Sequence, residues 1–341
     1  MSEPQPPADL EQQATHFRER FKAARAELGK VIVGQSAIVD GVLISLFVGG
    51  NVLLEGPPGL GKTLLVRSLA DALSLDFSRI QFTPDLMPAD ITGTTIVVEE
   101  KRADGTTGRD FKFQPGPIFA QIVLADEINR ATPKTQAAML EAMQEKSVTV
   151  GGTTHEMPRP FFVMATQNPI EQEGTYPLPE AQLDRFLFKL DVGQVSREDL
   201  HEILNRTTAS ADAEVQPALD AAQIRQAQAL VRQVLIAPPV QDYAVRAVLA
   251  THPESPFATD DIKAYARFGA SPRAAQTLVL AAKAMALLSG RVHASIEDIQ
   301  SILLPTLRHR IGLNFEAQAA GVSADDLVAS LRKSLPTESP R

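Results

Sequence analysis

The sequence predicts an α/β protein: a three-layer core built on a parallel sheet, followed by a smaller all-helical domain. Short, unbroken apolar runs recur through the first 195 residues, with helix signals between them. After about residue 195 strand signals become scarce, and Ala and Leu accumulate at helical spacing. Apolar runs of about four to eight residues suit strands buried on both faces, as in parallel sheets covered by helices. A chain of 341 residues is also longer than one ordinary core requires.

Taken in order, residues 1–9 are polar and Pro-rich and are expected to form a disordered tail. Leu10 to about Lys30 is charged and helix-favouring, with Phe17, Phe21, Ala24 and Leu28 near helical spacing. Residues 10–195 make up the core. Its first apolar run, Asn51–Glu55, ends in a glycine-rich loop. Ile122–Asp126 and Phe161–Gln167 are the second and third runs, and Arg185–Leu190 is a weaker fourth. Helix candidates lie between them at Lys62–Leu73 and Pro133–Glu145, the latter with Thr132 as N-cap and Pro133 in the first turn. Two segments fall outside the alternation. Residues 92–114 contain an acidic-basic turn with a Gly105-Thr106-Thr107-Gly108 tip. In residues 147–160, Val148 and Val150 alternate with Thr149 before Gly151-Gly152, the pattern of a β-hairpin. Residues 196–335 read as the helical domain. Ser196 and Asp199, and Ser295 and Asp298, resemble capping boxes, with periodicity over 197–208, 218–235, 240–251, 273–288 and 296–304.

Composition narrows the function classes. Apolar residues make up 44% and charged residues 22%, as in soluble globular proteins. The longest apolar stretch, Val42–Leu54, is interrupted and too short for a transmembrane segment, and no secretory signal opens the chain. Cysteine is absent, which excludes disulfides and thiolate metal sites and fits a reducing, cytoplasmic location. The net charge of −8 divides into −7 over residues 1–195 and −1 over the remainder. Neither part has the positive excess that binds phosphodiester backbones, so nucleic acid is not an expected partner.

The loop Gly56-Pro57-Pro58-Gly59-Leu60-Gly61-Lys62-Thr63 fits G-x-x-x-x-G-K-[ST] in full, between an apolar run and a helix that continues through Leu64. Glycines let the backbone wrap the phosphates of ATP or ADP, and the helix N-terminus adds amide donors. Lys62 would reach the β- and γ-phosphates and the Thr63 hydroxyl would ligate magnesium. In the run Ile122–Asp126, continued by Glu127, Asp126 would hold the magnesium shell and Glu127 would orient and polarise the attacking water. The third run leads into Thr166-Gln167-Asn168-Pro169, where the Asn168 amide is placed either to touch the γ-phosphate or position the water, or to cap a turn before Pro169. Two arginines stand out by position. Arg185 follows a short helix begun near Pro179. Arg273 sits in the first turn of a helix opened by Ser271-Pro272, where the dipole disfavours a cation unless an anion faces it. Spacing alone leaves both open between phosphate contacts and surface salt bridges.

With these runs in place, the chain resembles the MoxR family of AAA+ ATPases over about residues 25–310. The telling stretches are Asn51–Leu64, Gln81–Gly93, Gly116–Phe119, Ala125–Glu145, Ala165–Pro169 and Tyr176–Phe186. The resemblance implies an AAA+ αβα core and a helical lid, with 92–114 as a helix-2 insert and 147–160 as the hairpin before sensor 1. It further implies that Asn168 is the sensor 1 residue, Arg273 the sensor 2 arginine, and Arg185 the finger acting on a neighbouring subunit's ATP. Members form rings, usually hexamers, and act as chaperone-like remodellers that mature or insert cofactors into client complexes, often with a von Willebrand factor A domain partner. On this reading ATP docks between core and lid, touched by Lys62 and Arg273, with adenine near Val33-Gly34-Gln35. Arg130, after the second acidic motif, is a further candidate for the subunit interface.

Three other readings fit the sequence less well. A nucleic-acid motor on the same core predicts basic residues on the hairpin, where 147–160 offers only Arg159 and His155. A small-molecule kinase leaves the helical domain and paired arginines unexplained. A non-hydrolysing scaffold is disfavoured by Glu127.

Overall fold

The computed structural model describes residues 7–101, 107–169, 174–208 and 214–338. The strands are β1 (Val52–Glu55), β2 (Phe77–Gln81), β3 (Gly93–Lys101), β4 (Thr107–Pro115), β5 (Ile122–Asp126), β6 (Ser147–Val150), β7 (Thr153–Glu156), β8 (Phe162–Gln167) and β9 (Phe188–Asp191), besides two-stranded bridges among the later helices. The helices of the first part are α1 (Pro7–Val31), α2 (Ser36–Val48), α3 (Lys62–Ala72), α4 (Pro88–Thr92), α5 (Pro133–Glu145) and α6 (Glu180–Leu183). Those that follow are α7 (Arg197–Thr207), α8 (Ala221–Gln233), α9 (Pro238–Leu249), α10 (Asp260–Tyr265), α11 (Pro272–Leu288), α12 (Ile296–Leu307), α13 (Phe315–Ala320) and α14 (Ala324–Ser334).

Five strands form one parallel sheet in the order β2-β5-β8-β1-β9. Alternation along each strand divides its side chains between two hydrophobic clusters. Val52 and Leu54, Ile122 and Leu124, and Phe162 and Met164 face the cluster containing α1, α2 and α3. Leu53, Val123, Ala125, Val163 and Ala165 face Met139, Leu140 and Met143 of α5. Three layers result. The structure corrects the expected tail, because Pro7–Asp9 already belong to α1, while residues 1–6 lie outside the described residues. Phe17, Phe21, Ala24 and Leu28 are all buried, and the Phe17 and Phe21 rings meet Phe47 with centroids 5.3 and 5.9 Å apart. The weaker fourth run begins its strand only at Phe188, since Arg185–Leu187 forms a turn.

Two antiparallel hairpins rise from the core. In β6–β7 the turn residues Gly151 and Gly152 both have positive φ, 59° and 82°, which a two-residue hairpin turn demands of its centre. In β3–β4 the register pairs Gly93 with Pro115, and the Gly105-Thr106 part of its expected tip lies outside the described residues. The hairpins touch: the His155 ring of β7 stacks on Phe113 of β4 at a centroid distance of 3.8 Å, and Phe119 closes the cluster edge-on.

The later helices gather round α11, which lies against α1, α2, α8, α9 and α12. After α12, three consecutive residues clasp the segment 184–191. Arg308 pairs with Asp191 at 2.8 Å and also with Asp325, while His309 Nε2 meets the Phe186 carbonyl at 3.3 Å. Burial holds the His309 ring well below the usual imidazole range, so it is neutral. Arg310 Nε donates to Asp184 Oδ1 at 2.8 Å and Nη2 to the Phe186 carbonyl at 2.6 Å, with only 2% of its side chain exposed. Truncating one partner of so buried a pair strands the other charge, at a cost of roughly 3–5 kcal/mol. Arg310→Ala is therefore expected to lower the thermal unfolding midpoint by many degrees, measured by calorimetry, whereas an unchanged midpoint would contradict this account.

Candidate active site

The carboxyl ends of β1, β5 and β8 come level at one edge of the sheet, where open α/β sheets place ligands. There a cavity of about 410 Å3 is walled by Pro58, Gly59, Gly61, Lys62, Thr63 and Leu64 on one side. Arg79, Gln81, Asp126, Glu127, Thr166 and Asn168 form the other wall. β1 delivers the chain to the loop, and Gly61, left-handed with φ 76°, caps α3 so that its first turn starts at Lys62. Ideal Cβ atoms at Gly59 and Gly61 would meet nothing within 4 Å, so the loop presents bare backbone to open space. The amides and dipole of the helix start face that space, a geometry suited to an anion.

Each acid is held from several sides. Thr166 Oγ1 donates to Asp126 Oδ1 at 2.7 Å and accepts the Glu127 amide at 2.8 Å, so one hydroxyl positions both. Glu127 adopts φ 56°, an uncommon backbone state for a non-glycine residue that turns its carboxylate to the cavity mouth. Gln81 Nε2 donates to Glu127 Oε2 at 2.8 Å, and Arg130 Nε lies 3.3 Å from the same oxygen. Lys62 Nζ donates to the carbonyls of Gly56 and Pro57, the latter at 3.2 Å. Burial lowers its pKa from the ordinary lysine value, opposed by the charges of Asp126, Glu127 and Glu55. Asn168, 5% exposed, follows the end of β8 and lines the cavity.

Other expected residues are placed beside this wall. Gln35 Nε2 donates to the Leu60 carbonyl at 3.1 Å, which fixes Val33-Gly34-Gln35 against the phosphate loop. Gly34 runs so close to α7 that an added Cβ would lie 2.4 Å from the Asp199 carboxylate. The two arginines are elsewhere. Arg273 does not line the cavity: it donates to Gln144 Oε1 at 3.3 Å and sits 3.7 Å from Asp184 Oδ2. Arg273 thus sits apart from the cavity walled by the phosphate loop. The anion facing it is Asp184, which also accepts from Ser271 at 2.7 Å. Arg185 Nη1 donates to the Leu140 carbonyl at 2.7 Å, so both arginines rest against the C-terminal half of α5. Arg79 carries no motif signal, whereas Gln81 opens the stretch Gln81–Gly93 and Thr166 lies within Ala165–Pro169, neither with a role that spacing assigns.

Comparisons with known proteins agree with this geometry. The model of the ATPase family associated with various cellular activities (AAA) matches residues 51–188, and that of the AAA lid domain matches residues 259–331. Chaperone MoxR1 of Mycobacterium tuberculosis is 43% identical over 302 residues, covering 89% of this chain and 78% of the relative. The chain belongs to the MoxR family of AAA+ ATPases. The protein called MoxR in Paracoccus denitrificans is 32% identical over 89% of this chain and 92% of its own length. YeaC of Bacillus subtilis, itself uncharacterised, is 44% identical over 89% and 90%. A crystal structure from Cytophaga hutchinsonii, of a protein assigned as an ATPase, superposes with a TM-score of 0.86 at 39% identity over 96% of this chain and 98% of that one. This MoxR-family member thus has an AAA+ core with a helical lid, binds nucleotide and hydrolyses ATP. Among the described residues no helix is long and apolar enough to cross a membrane.

Proposed function

We propose that the chain works as a ring, usually of six copies, in which each Mg-ATP is held by one subunit and completed by arginines of the next. The observation that carries this reading is the separation of Arg185 and Arg273 from the cavity of their own chain, together with their common seat on α5. Arg185 on the Leu140 carbonyl and Arg273 on Gln144 lie one helical turn apart along α5, and this reading assigns both to the phosphates of a neighbour's ATP.

Within the cavity, the loop amides and Lys62 bind the phosphates, and Asn168 contacts the γ-phosphate. Glu127 orients the attacking water and accepts its proton. Thr63 and Asp126 are hard oxygen donors suited to magnesium, and the open glycine loop leaves room for the phosphates that would supply further oxygens. Bound there, the ion supplies charge neutralisation at the transferred phosphoryl group.

Loss of the γ-phosphate would loosen Asn168 and the neighbour's arginines, and the lid would turn against the core. Hairpins β3–β4 and β6–β7, joined through His155 and Phe113, would move together against a client protein. The mycobacterial relative is named a chaperone, and for this chain the activity is remodelling or cofactor insertion in a client complex, with a von Willebrand factor A domain partner.

The test is mass in solution with and without ATP, combined with Arg185→Ala. A nucleotide-stabilised oligomer is expected for the wild type. The variant should bind nucleotide normally but lose at least about a hundredfold in turnover, toward the scale of arginine fingers. A strict monomer under both conditions would sink the finger role.

A further inference from the structure

Strand β2 brings two unassigned side chains to the acids. Its register with β5 sets Arg79 opposite Leu124 and Gln81 opposite Asp126, two residues apart on one face at the carboxyl edge of the sheet. The Arg79 guanidinium lies side-on to Asp126, with Nη2 2.7 Å and Nε 3.1 Å from Oδ2. Its Nη2 also donates to Gln81 Oε1 at 2.6 Å, and Gln81 holds Glu127. Because Thr166 already occupies Oδ1, both oxygens of Asp126 are engaged, one by a hydroxyl and the other by a full positive charge. The Arg79 side chain lines the cavity and is 47% exposed, against 12% for Asp126. It can swing away from the carboxylate without unpacking the core.

We propose that Arg79 is a displaceable counter-charge of the metal site: it holds Asp126 until magnesium arrives, competes with the ion for that carboxylate, and so sets how steeply nucleotide binding depends on magnesium. The inference rests on the reading of the cavity as a Mg-nucleotide site. Magnesium demands close, near-octahedral oxygen contacts, and a guanidinium on the same oxygen repels it. Without the ion, incoming phosphates meet two cations of the cavity wall, Lys62 and Arg79, set against its two acids, while Arg130 lies behind that wall, 3.3 Å from Glu127. If Arg79 is removed, the acids outnumber the lysine and repel a bare polyphosphate. Arg79 therefore acts in opposite directions on two affinities: it favours nucleotide without magnesium and disfavours the ion. A residue that merely supported the strand would move both the same way.

The full-length chain is titrated with a fluorescent ADP analogue, in EDTA and at rising magnesium. For Arg79→Gln, affinity in EDTA is expected to fall about five- to tenfold while the magnesium half-saturation point drops by a similar factor, the size of a typical coupling. Arg79→Lys keeps the charge but loses the side-on contact. It should bind the analogue in EDTA nearly as the wild type does, with an intermediate magnesium requirement, and it keeps the test available should the Gln variant fold poorly. Equal loss of affinity with and without magnesium, or an unchanged magnesium requirement, overturns the proposal. If the wild type binds no analogue under either condition, the nucleotide-site reading falls and takes the proposal with it.

Discussion

Glu127→Gln is expected to leave nucleotide binding intact and to slow turnover by about 10²- to 10⁴-fold, the usual scale for removing a general base. Glutamine matches glutamate in shape, and its amide oxygen can still accept from Gln81 and Arg130, which hold the native carboxylate at 2.8 and 3.3 Å. The backbone state of Glu127 and its amide bond to Thr166 are independent of the side-chain charge. What disappears is the ability to take a proton from water. Phosphate release in steady state and titration with a fluorescent nucleotide separate the two quantities. Hydrolysis at the wild-type rate would refute the water role, and loss of binding would show that the carboxylate also holds the loop.

Lys62→Ala is expected to weaken nucleotide binding by at least about a hundredfold, on the scale of one or two charge-assisted hydrogen bonds at about 1.5–3 kcal/mol each. Lys62 Nζ rests on the Gly56 and Pro57 carbonyls, so the ammonium already lies inside the loop that would receive the phosphates. Burial disfavours its charged form, while Asp126, Glu127 and Glu55 sustain it. Removal takes away the cation that offsets these acids and leaves the cavity more repellent to an anion. Calorimetric titration with ADP measures the effect. Affinity within a few-fold of the wild type would mean that the backbone amides alone carry the phosphates.

Much of the core was legible because its central strands are buried on both faces. Ile122–Asp126 is buried throughout, so its sequence is a plain apolar run. The phosphate loop was legible because its chemistry fixes both residue types and spacing. Strand β2 was not legible: at the sheet edge only Ile80 of Phe77–Gln81 is buried, so no run announces it. With the strand unseen, Arg79 and Gln81 could not be placed beside the acids. Helix α2 was hidden for the opposite reason, since ten of its residues from Ile38 to Val48 are buried and no polar face marks its period. The seat of Arg273 depends on Asp184, which Arg310 holds from 126 residues away, and local spacing carries no trace of such a contact.

The clasp formed by Arg308, His309 and Arg310 has a consequence for timing. It ties the lid to the segment that carries Arg185, and through β9 to β1, which leads into the phosphate loop. In the proposed ring, a lid that tilts against the core pulls on this clasp, and so on Asp184, which holds Arg273, and on the turn that carries Arg185. Firing order round the ring would then follow lid angle, passed from each copy to the next as a rotation and not as a diffusing signal.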